Sequence, residues 1–214
     1  MLVVFGLMAC TNMDVDLDTG KEARRAENYE LAAKHLGPLA EFGVEEAKYE
    51  YALTLIRKED STEDDYKSAM EYLKSVRGKR TGNALFEIGS IYEKGLGVEK
   101  DYDLALDYYK LSYESGYIRG LYQSGSVFEK KKDYEQALAL YKKALDGKFA
   151  KAAYRIGRLY ERGRLGKKDP VLGLAWYIHA ENLGVKGMPE NIKKIKSRLD
   201  ASQIAEAYEI SRGL

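Results

Sequence analysis

The feature that most constrains this chain is an internal repeat whose period suits a pair of helices. Tyr51-Ala52-Leu53, Ile88-Gly89-Ser90, Ser124-Gly125-Ser126 and Ile156-Gly157-Arg158 place a small residue at 52, 89, 125 and 157, in steps of 37, 36 and 32. A second series runs between these positions. Asn28, Asp65, Asp101, Asp133 and Asp169 each stand four residues before Ala32, Ala69, Ala105, Ala137 and Gly173. Two interleaved series mean two elements per unit, and self-similarity at this period marks a stacked repeat array.

Each element reads as a helix. Asn and Asp cap helices because their side-chain oxygens accept a free backbone N–H of the first turn. Pro170 follows Asp169 at the first helical position, where its missing N–H costs nothing. Apolar residues recur behind the caps at helical spacing, as in Leu104, Leu106 and Tyr109, or Leu138, Leu140 and Tyr141. Gly43, Gly116, Gly147 and Gly184 are expected to end helices in the left-handed conformation. The small residue inside each helix admits a neighbour at close range. These features predict an all-α fold, a right-handed α-solenoid of about ten or eleven helices in which each hairpin buries its apolar face on the next.

The turn between the two helices carries the specific signature. Tyr92-Glu93-Lys94-Gly95-Leu96-Gly97-Val98-Glu99-Lys100-Asp101 resembles the Sel1-like repeat, a relative of the tetratricopeptide repeat. Ile156-Gly157-Arg158-Leu159-Tyr160, Gly163, Asp169, Ala175 and Trp176-Tyr177 match the pattern again. The third unit, Phe128-Glu129-Lys130-Lys131-Lys132-Asp133, lacks the Gly-x-Gly-Val insertion and looks like a plain tetratricopeptide unit. The first also lacks the glycines, with Arg57-Lys58-Glu59-Asp60 in their place. The resemblance covers about residues 28–185. It implies a scaffold that binds other proteins, often as an adaptor within a larger complex.

The expected organisation has four parts: a truncated lipoprotein-type signal and acidic tether over 1–20, a capping half repeat over 21–43, the array over 44–188, and capping helices over 189–214. Met1 to Ala9 is uncharged and apolar, and Leu7-Met8-Ala9-Cys10 resembles a bacterial lipobox in which Cys10 would carry the lipid. Met8 is unusual there and no basic residue precedes the apolar run; a start placed too far downstream would account for the missing basic region. The alternative is an apolar terminus with an ordinary thiol. At the other end, Pro189 begins a helix with Ile192, Ile195 and Leu199 on one face, and Asp200 and Gln203 have capping-box spacing.

Composition narrows the chemistry. Among 214 residues, 35 Lys and Arg balance 34 Asp and Glu, so no net charge calls for a nucleic-acid partner. One cysteine excludes an internal disulfide framework and a Cys-based zinc site. No metal or cofactor is indicated. Gly95-x-Gly97 lacks a third glycine, Gly166-Lys167 lacks the rest of a P-loop, and no serine stands three residues before a lysine. Some cysteine-rich relatives within the resemblance act on β-lactams, but their repeats are pinned by disulfides. His35 and His179 are read as helical residues rather than catalysts.

Binding is the remaining expectation. Tyr49, Phe86, Tyr122 and Tyr154 each lie three residues before the small residue of the first helix. By analogy with tetratricopeptide geometry they border a concave groove, where one ring per repeat can stack against a peptide or a sugar; alternatively they pack between hairpins. Glu46, Asn83, Arg119 and Lys151, then Glu93, Glu129 and Glu161, are read as the polar positions across that groove. The layout of lipobox, short tether, half repeat and Sel1-like units is also similar to that of alginate-biosynthesis outer-membrane lipoproteins. The resulting expectation is a non-enzymatic adaptor, lipid-anchored at the outer membrane and facing the periplasm, with a protein partner in an envelope complex for exopolysaccharide assembly or secretion. A polysaccharide contact is the weaker option. A soluble cytoplasmic adaptor and a cell-wall or β-lactam enzyme are the competing readings.

Overall fold

A computed structural model describes residues 15–214, and all regular structure among them is helical. Cys10 and the apolar run before it lie outside the described residues. The helices are α1 (Leu17–Arg25), α2 (Tyr29–Glu41), α3 (Glu45–Arg57), α4 (Glu63–Ser75), α5 (Thr81–Lys94) and α6 (Tyr102–Glu114). They continue with α7 (Arg119–Lys130), α8 (Tyr134–Asp146), α9 (Lys151–Glu161), α10 (Pro170–Asn182), α11 (Met188–Lys196) and α12 (Ala201–Arg212). The chain divides into two compact units at Leu104–Ala105, within α6. In the first unit α1 packs on α2, α2 on α3, α3 on α4 and α4 on α5; in the second, α7 packs on α8, α8 on α9 and α9 on α10, and α10 also packs on α11 and α12. No helix of the described residues is long and apolar enough to cross a membrane.

One packing device recurs. In α7 and α9 the small residue is glycine because a ring from the next helix occupies the space of its Cβ. A Cβ on Gly125 would lie 2.7 Å from the Tyr141 ring, and one on Gly157 would lie 2.8 Å from the Tyr177 ring. Tyr141 and Tyr177 are buried in the core of the second unit together with Ile156, Leu159 and Leu174. Burying a large side chain of this kind contributes about 1.5–3 kcal/mol.

The turns share an anchor. The N–H of each second-helix cap donates to the carbonyl three residues after the small residue: Asp101 to Tyr92 at 3.0 Å, Asp133 to Phe128 at 2.9 Å and Asp169 to Tyr160 at 3.0 Å. Between these fixed points the loop is either the glycine-containing insertion or its short form. The caps then work as read: Asn28, Asp133 and Asp169 accept from Leu31, Gln136 and Leu172 N–H, and Asp101 from Asp103 and Leu104. The Asp200–Gln203 capping box is present.

Several expectations are corrected. Asp65 is not the cap of α4. Thr62 is, and Asp65 sits one turn inside as its capping-box partner, so α4 begins three residues earlier than the spacing suggests. Gly43, Gly116 and Gly184 have positive φ, but Gly147 has φ −76° and Lys148 takes the left-handed position at φ +66°. At Gly147 a Cβ would press on Ile118 Cδ1. Among the described residues there are twelve α-helices rather than ten or eleven, and the additional element is α1.

That element replaces the end of the expected acidic tether. Asp16 caps α1 by accepting from Thr19 N–H, and the helix continues through a buried Gly20. A Cβ on Gly20 would lie 2.7 Å from Leu36 Cγ, and Asn28 N–H donates to Ala23 O at 2.9 Å. Gly20, Ala23 and Leu36 therefore repeat the roles of Gly125, Phe128 and Tyr141. The half repeat is a complete hairpin.

If this close approach sets the hairpin geometry, Gly157→Ala should lower stability by about 1–3 kcal/mol. The added methyl meets the Tyr177 ring and Gly173 O at 3.1 Å, and that backbone cannot move aside locally. Urea unfolding of the variant at unchanged stability would show that the contact is not limiting.

Candidate functional site

The first helix of each repeat presents two faces. On α7 and α9, Gly125 and Gly157 face the ring of the following helix, while Tyr122 and Tyr154, three residues earlier, face an open groove of about 1100 Å³. Arg119 and Lys151 lie on the same rim, three residues earlier again, and both are exposed. Four of the six groove positions expected from the sequence thus come together in the second unit. Tyr49 and Phe86 do not line this groove. Both are buried in the first unit, and the Arg80 guanidinium lies over the Tyr49 ring at 5.3 Å.

The groove floor is preassembled. Tyr122 packs against Phe149 with ring centroids 4.8 Å apart and against Tyr141 at 5.6 Å. Tyr154 stacks on Tyr177 at 5.6 Å and 30°. Each groove ring therefore rests on the buried tyrosine that fills the glycine gap, so both placements expected for these residues hold at once. Ile118, Val185 and Met188 complete an apolar floor, and Asn191 is its neutral polar neighbour.

Beneath the floor lies a charge network that sequence reading placed in the groove itself. Tyr141 Oη–H donates to Glu129 Oε2 at 3.0 Å, and Tyr177 Oη–H donates to Glu161 Oε2 at 2.7 Å. Burial, followed by the Glu129 carboxylate, pushes the Tyr141 hydroxyl well above its ordinary range; burial, followed by the hydrogen bond to Glu161, does the same to Tyr177. Both hydroxyls remain protonated donors at neutral pH. Arg155 ties two repeats together, with Nε donating to Tyr122 Oη at 3.0 Å and Nη1 to Glu129 Oε2 at 3.3 Å. Glu129 and Glu161 are structural acceptors rather than groove contacts. The signal was present in the spacing, since each glutamate follows its glycine by four residues.

The rim is cationic. Arg119, Lys148, Lys151 and Lys186 line the groove, and neither Asp nor Glu does. Lys148 and Lys186 were missed by the sequence reading because they follow helix ends rather than the repeat register. Helices α7, α9 and α11 all begin at this rim without side-chain caps, so their positive dipole ends share the sign of the side chains. The histidines lie elsewhere. His35 Nδ1 accepts from Asp16 N–H at 3.1 Å, holding α1 to α2, and His179 meets the Trp176 ring edge-on. Among the described residues no three side chains converge as metal ligands.

Two measurements follow from this geometry. Glu129→Ala removes the acceptor shared by Tyr141 and Arg155 and should cost about 1–3 kcal/mol, whereas Glu129→Gln should retain part of it. Unfolding free energies that are equal for both variants and wild type would contradict the network. Burial lowers the His179 pKa from its ordinary 6.5. Its contribution is therefore present above that pH and is lost as pH falls, because the unfolded chain takes the proton first. His179→Gln should flatten the decline in melting temperature below about pH 6.5; an unchanged decline would contradict this assignment.

Comparison with known proteins bears on the fold. The Sel1 repeat family model matches residues 82–117, 120–148 and 150–185. Residues 28–81, which the sequence reading included, lie outside that match. Among solved structures, the chain is similar to a Sel1 repeat protein from Oxalobacter formigenes at 22% identity and TM-score 0.62, over 91% of this chain and 81% of that one. It also aligns with a protective antigen of uropathogenic Escherichia coli with an SLR fold, at 18% identity and TM-score 0.45, over 86% of this chain and 48% of that one. Comparison with curated proteins gave no match. The chain carries three Sel1 repeats over residues 82–185, and proteins built on such repeats are typically non-enzymatic scaffolds for protein–protein interaction.

Proposed function

We propose that this chain is a non-enzymatic scaffold that presents the groove of its second unit to a partner protein, and that a lipid on Cys10 anchors it at the outer membrane facing the periplasm. The observation that carries the scaffold reading is the groove itself: a floor of packed rings under an exposed rim of Arg119, Lys148, Lys151 and Lys186. Such a surface supplies contact area from aromatic anchors and partner choice from rim charges. The anchor reading is supported by Leu7-Met8-Ala9-Cys10. The order of lipobox-like segment and repeats supports a place in an envelope complex that assembles or exports a polysaccharide.

Fractionation of cells separates the anchored adaptor from a soluble cytoplasmic one. The chain expressed with its native leader should partition with membranes, and Cys10→Ala should move it to the soluble fraction, since stable anchoring needs the added acyl chains. Equal partition of both would leave the cytoplasmic adaptor. For the scaffold itself, Arg119→Glu should weaken partner capture, while His35→Ala and His179→Ala, once shown to be folded, should retain it. Loss of cellular activity in the folded histidine variants with full activity in Arg119→Glu would point to chemistry rather than binding.

A further inference from the structure

The charge of the groove lining departs from the balance of the chain's composition. The chain carries a net charge of only +1, yet this lining holds four cations and no carboxylate. Lys148, Lys151 and Lys186 make no ion pair among the described residues. A hollow in the first unit shows the contrast. There Arg77, Lys79 and Arg80 stand beside Glu45 and Glu46, and part of the charge meets internally, with Arg80 Nη2 lying 3.6 Å from Glu46 Oε1. Cations left facing an apolar groove are complementary to an anionic ligand.

The floor narrows the class of that ligand. Ile118, Val185 and Met188 offer no hydrogen bonds, and the Tyr122 oxygen already accepts from Arg155 Nε, which leaves that hydroxyl its single proton to donate. A sugar chain needs partners for its hydroxyl groups, and Asn191 is the one side-chain amide in the lining. A nucleic acid draws its affinity from a track of roughly 6–10 phosphate contacts, which four cations around one groove do not supply. An apolar or aromatic side chain suits the floor, and carboxylates on either side of it suit the rim.

We propose that this groove takes an extended acidic peptide segment of a partner protein, with one apolar or aromatic side chain on the Tyr122–Phe149–Tyr154 floor and flanking Asp or Glu residues on Lys148, Lys151, Lys186 and Arg119. The proposal rests on reading the groove as the partner-binding surface, and the test separates the two. The full chain is used to select from a random peptide library of roughly twelve residues displayed on phage. The selected sequences should be enriched in Asp and Glu around an aromatic or branched aliphatic residue. The corresponding synthetic peptides should bind at least about tenfold more weakly to the folded Lys151→Glu/Lys186→Glu variant, and more weakly as salt rises from about 0.05 to about 0.5 M. Selected sequences without acidic enrichment, but lost in the double variant, would overturn the acidic chemistry and leave the groove as the peptide site. Peptides bound equally by the variant would overturn the groove assignment. No selected peptide, with oligouronate binding that the variant abolishes, would replace the peptide with a sugar.

Discussion

The fold depends on one contact: a bulky side chain of the second helix lying against a glycine of the first. Gly20 with Leu36, Gly125 with Tyr141 and Gly157 with Tyr177 are three instances of it. The missing Cβ lets two helices approach closely, and the ring fills the space that approach creates. The cap N–H donated to the carbonyl three residues after the glycine then fixes where the second helix starts. With both ends set, the loop between them can lengthen or shorten without disturbing the pair. That is how a short Lys-rich turn and a glycine-containing insertion serve equivalent hairpins in one chain.

The same contact builds the floor of the groove. Tyr141 and Tyr177 carry Tyr122 and Tyr154 on their rings, and their hydroxyls are held by Glu129 and Glu161. Arg155 links Tyr122 to Glu129, so a groove ring and a buried carboxylate belong to one network. Such a network limits movement of the floor, which lowers the entropy lost when a ligand settles on it. On the rim, Lys148, Lys151 and Lys186 make no ion pair among the described residues, and together with the exposed Arg119 they set the charge of the surface.

Much of this was legible in the sequence because the repeat forces particular residue types into fixed positions. The caps at Asn28, Asp101, Asp133 and Asp169, Pro170 and the Asp200–Gln203 box each have a local physical cause, and each appears where that cause places it, whereas Asp65 yields the cap of α4 to Thr62. Local signals failed where a distant contact decided the residue. Gly147 resembles a helix terminator but is small because Ile118 presses on it. Glu129 and Glu161 resemble surface carboxylates until their tyrosines are in place. The first hairpin was hidden because α1 is short, and because Asp16 and Asp18 make its start resemble a tether. Its signature was nonetheless there, since Gly20 and Ala32 are twelve residues apart, as are Gly125 and Ala137. In the groove, rings and charges in repeat register were found, whereas Lys148 and Lys186 depended on how helix ends converge in space.

The central claim is that the groove of the second unit is where a partner protein sits. Site-specific photo-cross-linking in cells tests it most directly. A photoreactive residue at position 151 or 186 should yield a defined adduct with a protein, and the same residue at position 67, an exposed lysine of α4 in the first unit, should not. Adducts from position 67 with none from 151 or 186 would place the partner elsewhere and contradict the account.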